Sequence, residues 1–485
     1  MKTNSLDFDA QVLREKILDL AMRGKLVKQD PNDEPASVLL EKIKAEKEQL
    51  IKEKKIKKSK PLPPISDEEK PFEIPDSWEW VRLGDIGAWA AGATPSRKHP
   101  EYYGGTIPWL KTGDLNDGIV NETSEKITEL GVKNSSVKVN EPGNVLIAMY
   151  GATIGKLGIV GNQELVTNQA CCGCSLFDGV HNWYLFYYLL ASRKRLIDLG
   201  SGGAQPNISK NKIEKFTFPL PTLEEQSRMA AKIAQLLALL RKVESSTQQY
   251  AKLQTLLKSK VLDLALRGKL VKQDPNDEPA SVLLEKIKAE KEQLIKEKKI
   301  KKSKPLPPIT DEEKPFEIPD SWEWVRLGEV IELISGRDIP KKFHLATQEK
   351  DSVPYITGAS NINDNGKIHI SEWVNKPSVI VNKGVILLSV KGTIGKLAEL
   401  DIKRAHIARQ IMGINNIFNL NKNYEKLFIE SYIQELKNKA KSMIPGISRE
   451  DLLLISFPVP PLEEQGRIVA KVGRLYDLFY KDAEN

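Results

Sequence analysis

The sequence predicts an α/β protein of the α+β kind: two globular domains separated by long antiparallel coiled-coil helices, arranged as a circular pseudo-two-fold repeat. Three observations predict it. Residues 18–84 recur at 262–328 with two substitutions, Met22 against Leu266 and Ser66 against Thr310. No Pro or Gly interrupts the chain between Leu223 and Arg267. The segments 85–219 and 329–458 are instead built of short β-prone runs broken by Gly, Asn and Pro.

The repeat extends beyond its near-identical part. "FPLPTLEEQSRMAAKI" (218–233) matches "FPVPPLEEQGRIVAKV" (457–472), and "YGATIGKLG" (150–158) matches "VKGTIGKLA" (390–398). In mid-chain the LEEQ segment runs directly into "VLDLALRGKLV", whereas the same two pieces stand at opposite ends of the chain. Laid on the central segment, 461–485 covers 222–246 and 1–24 covers 245–268. The phase implies a pseudo-dimer cut open within one helix, with neighbouring N- and C-termini.

The central segment carries apolar or semi-polar residues at steps of three and four: Leu236, Leu240, Val243, Thr247, Tyr250, Leu253, Leu257, Val261 and Leu264. Gly268 fits a C-terminal cap. A helix of this length spans roughly 65 Å, and its single stripe calls for a companion. Leu13, Ile17 and Leu20, with Val472, Leu475 and Phe479, repeat the stripe in the terminal pieces. A second helix starts near Pro279 and Ser281 and ends before "SKPLPPI", whose prolines favour extended chain. The tryptophans of "EIPDSWEWVRLG" are expected to anchor the next domain. The expected division is therefore 1–84, helical frame and Pro-rich linker; 85–219, first globular domain; 220–328, central long-helix frame and linker; 329–458, second globular domain; and 459–485, a C-terminal helix that pairs with the central helix together with the N-terminal one.

With 485 residues, the chain exceeds one core, and 40% hydrophobic with 28% charged residues is ordinary for a globular protein. The longest apolar run, "IAQLLALL" near 233–240, is too short to cross a bilayer, and "MKTNSLDFDA" lacks a secretion signal. A cytoplasmic protein without membrane partners is expected. Lys and Arg number 73 against 65 Asp and Glu, a charge of +8 that suits a polyanionic partner without requiring one.

The chemical motifs speak against catalysis. "GATIGK" (151–156) has three residues before GK where a nucleotide loop needs four, and Leu157 stands in place of the metal-binding Ser or Thr. A turn that brings Lys156 or Lys396 towards a phosphate backbone, or a plain β-turn, fits equally. Cys171, Cys172 and Cys174 lack the fourth ligand of a zinc site and read as buried small residues. The second copy has "ARQIMGINN" (408–416) where the first has "TNQACCGCS", which sets Asn168–Gln169 against Arg409–Gln410. The histidines form no metal or triad grouping, and no amino-methyltransferase tetrapeptide or nuclease cluster occurs. No catalytic, cofactor-binding or metal-ligating residue is assigned.

The frames agree nearly everywhere while the inserts share only scattered motifs, as expected of one mount presenting two different sets of loops. The polar and basic loops are candidate nucleic-acid contacts, because Asn, Gln, Arg and Lys pair with base edges and Lys suffices for phosphates. In the first insert these are Arg97, Lys111, Asn116, Tyr150, Lys156, Gln205, Asn207 and Lys210. In the second they are Arg337, Asn361, Asn363, Lys391, Lys396, Arg409 and Arg449.

Two near-identical frames carrying "RGKLVKQDPNDEPASVLLEKIKAEKEQLIKEKKIKKSKPLPP", alternating with inserts that contain "GNVLIAMYGATIGKLGIVG" and "GGAQPNISKNKIEKFTFPLPTLEEQ", resemble the specificity subunit of type I restriction–modification enzymes. The likeness covers essentially the whole chain. It implies that the inserts are target-recognition domains, each reading one half of a bipartite, asymmetric site in double-stranded DNA. It also implies helices that fix the spacer and dock two modification (methyltransferase) subunits, which use S-adenosylmethionine to methylate adenine. Restriction/translocase subunits using ATP and Mg would join them. The alternative is a coiled-coil scaffold or protein-interaction adaptor without a DNA role.

Overall fold

A computed structural model of the chain describes residues 9–58, 60–200, 206–300, 302–439 and 446–481. The outermost residues, whose adjacency the circular phase implies, lie outside the described residues. The chain divides into two compact units, one carrying Asp7–Thr247 and the other Gln248–Asn485. In each, the main core cluster joins frame and insert residues.

In the first unit, the helix Ala10–Met22 is capped by Asp9, whose carboxylate accepts from the backbone N–H of Gln11 (2.9 Å) and Val12 (3.2 Å). It stops at Gly24, where φ is +67° and a Cβ would fall 2.5 Å from the Pro75 ring. The helix Ala36–Lys52 follows, burying Leu39 and Ile43. Leu18, Met22, Ile43 and Trp78 share their core with Val145, Tyr184, Ile233 and Leu237. The insert closes on itself, because Glu79–Arg82 pairs antiparallel with Thr217–Leu220 at its far end. Between these strands lie a five-stranded sheet, ordered Gly87–Ala91, Cys171–Leu176, Val145–Ala148, Leu157–Val160 and Gly118–Val120, and a four-stranded one, ordered Glu125–Ile127, Tyr103–Leu110, Leu165–Thr167 and Val139–Asn140. Pairing is mostly antiparallel; Gly118–Val120 and Leu165–Thr167 each join their sheet in parallel.

The second unit repeats the plan. Glu323–Arg326 pairs with Ser456–Val459, and the helix Ala280–Lys296 buries Leu283 and Ile287. Its sheets have four strands (Glu332–Ser335, Ile411–Asn415, Ile386–Ser389, Leu397–Glu399) and five (His344–Leu345, Trp373–Val374, Val353–Ile356, Arg404–Ile407, Ile380–Asn382).

The repeated frame letters act as connectors. Trp78 Nε1 donates to Glu225 Oε2 at 2.8 Å and Trp322 Nε1 to Glu464 Oε2 at 2.9 Å, so "SWEW" is tied to "LEEQ" in both units. The next residue of LEEQ holds the insert: Gln226 Oε1 accepts from His181 N at 2.8 Å, and Gln465 Oε1 from Asn421 N at 2.9 Å. The linker prolines are held by a buried guanidinium. Arg82 donates to Pro63 O and Pro64 O and pairs with Glu69, and Arg326 does the same with Pro307 O, Pro308 O and Glu313. Arg82 and Arg326 draw these carboxyls down to about 2.

The long helix is Leu223–Leu266. In the first unit Arg14 reaches Glu244 (3.2 Å) while Gln29 donates to Glu225, so the N-terminal piece runs antiparallel to it. In the second, Gln254 Nε2 donates to Phe479 O (2.9 Å) and Gln273 to Glu464 (2.6 Å), giving the C-terminal piece the same sense. The expected continuous stripe is corrected. Leu240 and Val261 are buried, but Val243, Leu253 and Leu257 are about half exposed, as are Leu239 and Leu256. Burial along the helix ends at Leu240 and resumes at Val261, close to where the two globular cores end.

Candidate nucleic-acid interface

Hydrogen bonds set the two inserts in register. Asn168 N donates to Leu110 O and Ala408 N to Ile356 O; Ala93 N donates to Thr167 O and Arg337 N to Ile407 O; Met149 N donates to Ala170 O and Val390 N to Gln410 O. This overturns the letter alignment by one position. Gln169 shares its place with Arg409, and Ala170 with Gln410. Gly155 N returns to Ala148 O but Gly395 N to Ser389 O, so the first glycine loop is one residue longer, while from these glycines to the turn the two inserts keep the same length.

Along this register each unit presents a polar rim. In the first, Tyr150 bridges Asn207, Thr94 Oγ1 donates to Gln169 Oε1, and Lys111 follows Leu110. Lys111 Nζ (2.7 Å) and Arg97 Nη2 (2.9 Å) meet on Glu125 and hold its carboxyl below its ordinary value. The Arg97 guanidinium lies over Tyr103, 4.2 Å from the ring centre. In the second unit Lys391 bridges Gly446, and Arg409 pairs with Asp338 at 2.7 Å beside the exposed Arg337.

Other candidates are engaged in the fold. Asn361 is 3% exposed, its Oδ1 accepting from Thr357 N and Gly358 N and its Nδ2 donating to His369 O, so it shapes the loop. Asn363 Oδ1 accepts from Asn365 N and Lys367 N in the adjoining exposed turn. Lys156 Nζ contacts Leu115 O (3.4 Å) and Lys396 pairs with Asp364, so both lysines lean from the glycine loop onto the neighbouring one, where Asn116 donates to Ile119 O. Lys210 pairs with Glu214, and Arg449 Nη1 donates to Leu333 O. Gln205 lies outside the described residues. Thr94 and Asp338 lie in the same polar loops as the candidates Arg97 and Arg337, and Gln169 was set against Gln410, but sequence reasoning singled out none of the three as a contact. The differing pair at matched loops was a signal, but hydrogen-bond register was needed to align it.

The three cysteines are buried, and burial pushes Cys172 up to about 12. No group of metal-ligating side chains occurs among the described residues, and no described helix is long and apolar enough to cross a membrane.

Two mixed α/β units on repeated frames, each with a polar rim, make up the chain, and comparison with known proteins gives the family. The model of the type I restriction modification DNA specificity domain matches residues 75–254 and 319–481, and the chain belongs to that family. It is 33% identical to the type I restriction enzyme EcoAI specificity subunit of Escherichia coli, covering 96% of this chain and 88% of that one. With the EcoEI specificity subunit of the same organism it shares 36% identity over 66% of this chain and 61% of the relative. The fold is that of an HsdS subunit from Thermoanaerobacter tengcongensis (TM-score 0.53, 22% identity, 85% and 92% of the two chains). A chain from a study of type I R-M complex assembly matches similarly (TM-score 0.57, 22% identity, 85% and 94%).

Proposed function

We propose that the two units read two unlike halves of one bipartite target in double-stranded DNA, for a type I restriction–modification complex. The chain is the DNA sequence-recognition subunit of such a system and is not itself the catalyst. In this reading, residues 85–219 and 329–458 are the target-recognition domains, and 1–84, 220–328 and 459–485 the frame that sets the spacer. The observation that carries the reading is the matched backbone register beneath unmatched rim side chains. A protein binding one ligand twice has no use for that difference.

The partners follow from the same assignment. Two modification subunits would dock on the frame helices, where Leu239, Val243, Leu253, Leu256 and Leu257 offer apolar surface to a protein. They would bring S-adenosylmethionine and the methyl transfer to adenine; restriction/translocase subunits would add ATP- and Mg-dependent steps. The contacts proposed for DNA are the rim residues Arg97, Lys111, Tyr150, Asn207, Arg337, Lys391 and Arg409, with Asn116, Lys156, Gln205, Lys210, Asn363, Lys396 and Arg449 as flanking polar or phosphate contacts. Expression with its modification subunits, followed by genome-wide methylation mapping, tests the assignment. Two different half-sites with a fixed spacer are expected; a contiguous or palindromic target contradicts it.

A further inference from the structure

Positions 169 and 409 occupy one place in two scaffolds, and what stands behind each is also matched. The Thr94 hydroxyl donates to Gln169 Oε1; Asp338, at the equivalent position, accepts from Arg409 Nε (2.7 Å) and Arg409 N (3.2 Å). The backbone beneath them is fixed in both units. Gly92 and Gly336 sit so close to the neighbouring turn that a Cβ would fall 2.1 Å from Thr167 O or 2.0 Å from Ala408 O. The next carbonyl is anchored as well: Trp109 Nε1 donates to Ala93 O (3.1 Å), and His406 Nε2 to Arg337 O (2.7 Å). His406 Nδ1 accepts from Val379 N, which leaves the proton on Nε2 for that bond. Rigid support under an exposed, polar, oriented side chain is what a reading position needs.

We infer that Gln169 and Arg409 are equivalent base-reading residues, oriented by Thr94 and Asp338, and that the half-site of the first unit carries adenine where that of the second carries guanine. The inference rests on the DNA reading proposed above. In the major groove adenine offers an N6–H donor beside the N7 acceptor, which one carboxamide satisfies. The second lone pair of Gln169 Oε1 remains for N6–H while Thr94 occupies the first. Guanine offers O6 and N7, both acceptors, which the terminal edge of a guanidinium satisfies. Asp338 takes the Nε side of Arg409 and leaves that edge outward; the side chain is 70% exposed.

The test uses the complex assembled with its modification subunits and a DNA library randomised in both half-sites. Exchanging the pairs, Thr94→Asp with Gln169→Arg, and separately Asp338→Thr with Arg409→Gln, should change one base pair in the corresponding half-site only. The first exchange converts A to G there, the second G to A, and the spacer stays as it was. Gln169→Ala and Arg409→Ala should each relax preference at that one position by about 5- to 150-fold. If the parent selects two unlike half-sites but neither exchanges nor truncations alter any base, the inference is wrong while the two-reader assignment stands. Changes spread over several positions or both halves also overturn it. Where an exchanged complex selects nothing, the alanine variants decide. A parent that selects one contiguous site removes the two-reader assignment itself.

Discussion

Glu425 stands where the first unit has Leu185: the preceding tyrosines both donate to a strand carbonyl, Tyr184 to Pro219 O and Tyr424 to Pro458 O, each at 3.0 Å. Neither of its carboxyl oxygens has a hydrogen-bond partner of normal geometry, and burial pushes it up to about 8 from 4.5, with the nearby Asn416 amide and the charge of Lys422 only partly opposing. The folded state therefore holds a proton that the unfolded state releases above pH 4.5. The contribution is fully present below that pH and is lost as pH rises through about 8. Denaturant unfolding of the wild-type chain should lose stability over this window by up to ~1.4 kcal/mol per pH unit, and Glu425→Leu or Glu425→Gln should flatten the dependence. A slope unchanged by either substitution contradicts the assignment. Glu225 has the partners that Glu425 lacks, since Trp78 and Gln29 both donate to it. Glu225→Leu should destabilise the first unit by about 1–3 kcal/mol by leaving those donors without an acceptor, as seen in its thermal or denaturant midpoint.

At the scale of elements, the long helix decides the distance between readers in the proposed account. Four residues inserted near Ser245–Gln249 add about one turn, roughly 6 Å. Methylation mapping of that variant should return the same two half-sites with a longer spacer; intact modification at an unchanged spacer means the helix does not set it. The helix also shows how far periodicity reaches. Its spacing of three and four marks residues able to be buried, but Val243, Leu253 and Leu257 are exposed because burial needs a neighbour as well. The shorter elements were more legible. "LEEQ" and "SWEW" recur because Glu225 and Trp78, like Glu464 and Trp322, form one contact in each unit.

The whole molecule was legible in outline because its repeat is phased, and phase is a property of letters. The two repeated units and the antiparallel sense of each terminal piece follow from it. The candidate rim was only half legible. Lys111, Arg97 and Arg409 announce themselves as basic loop residues, whereas the partnership of Thr94 with Gln169, and the shared place of Gln169 and Arg409, are read from hydrogen bonds between segments distant in sequence. Asn361 was hard to place for a related reason: a loop asparagine can face outward or hold its own backbone, and here it holds. The phosphate contacts proposed along both rims should make DNA affinity of the assembled complex fall steeply with salt, linearly in log–log form. A flat dependence in a titration would point to the scaffold alternative. The most direct measurement replaces residues 85–219 by a second copy of 329–458 and maps methylation by the resulting complex. The account predicts two identical half-sites, both of the second unit's sequence, at the wild-type spacing; an unchanged asymmetric target would contradict it.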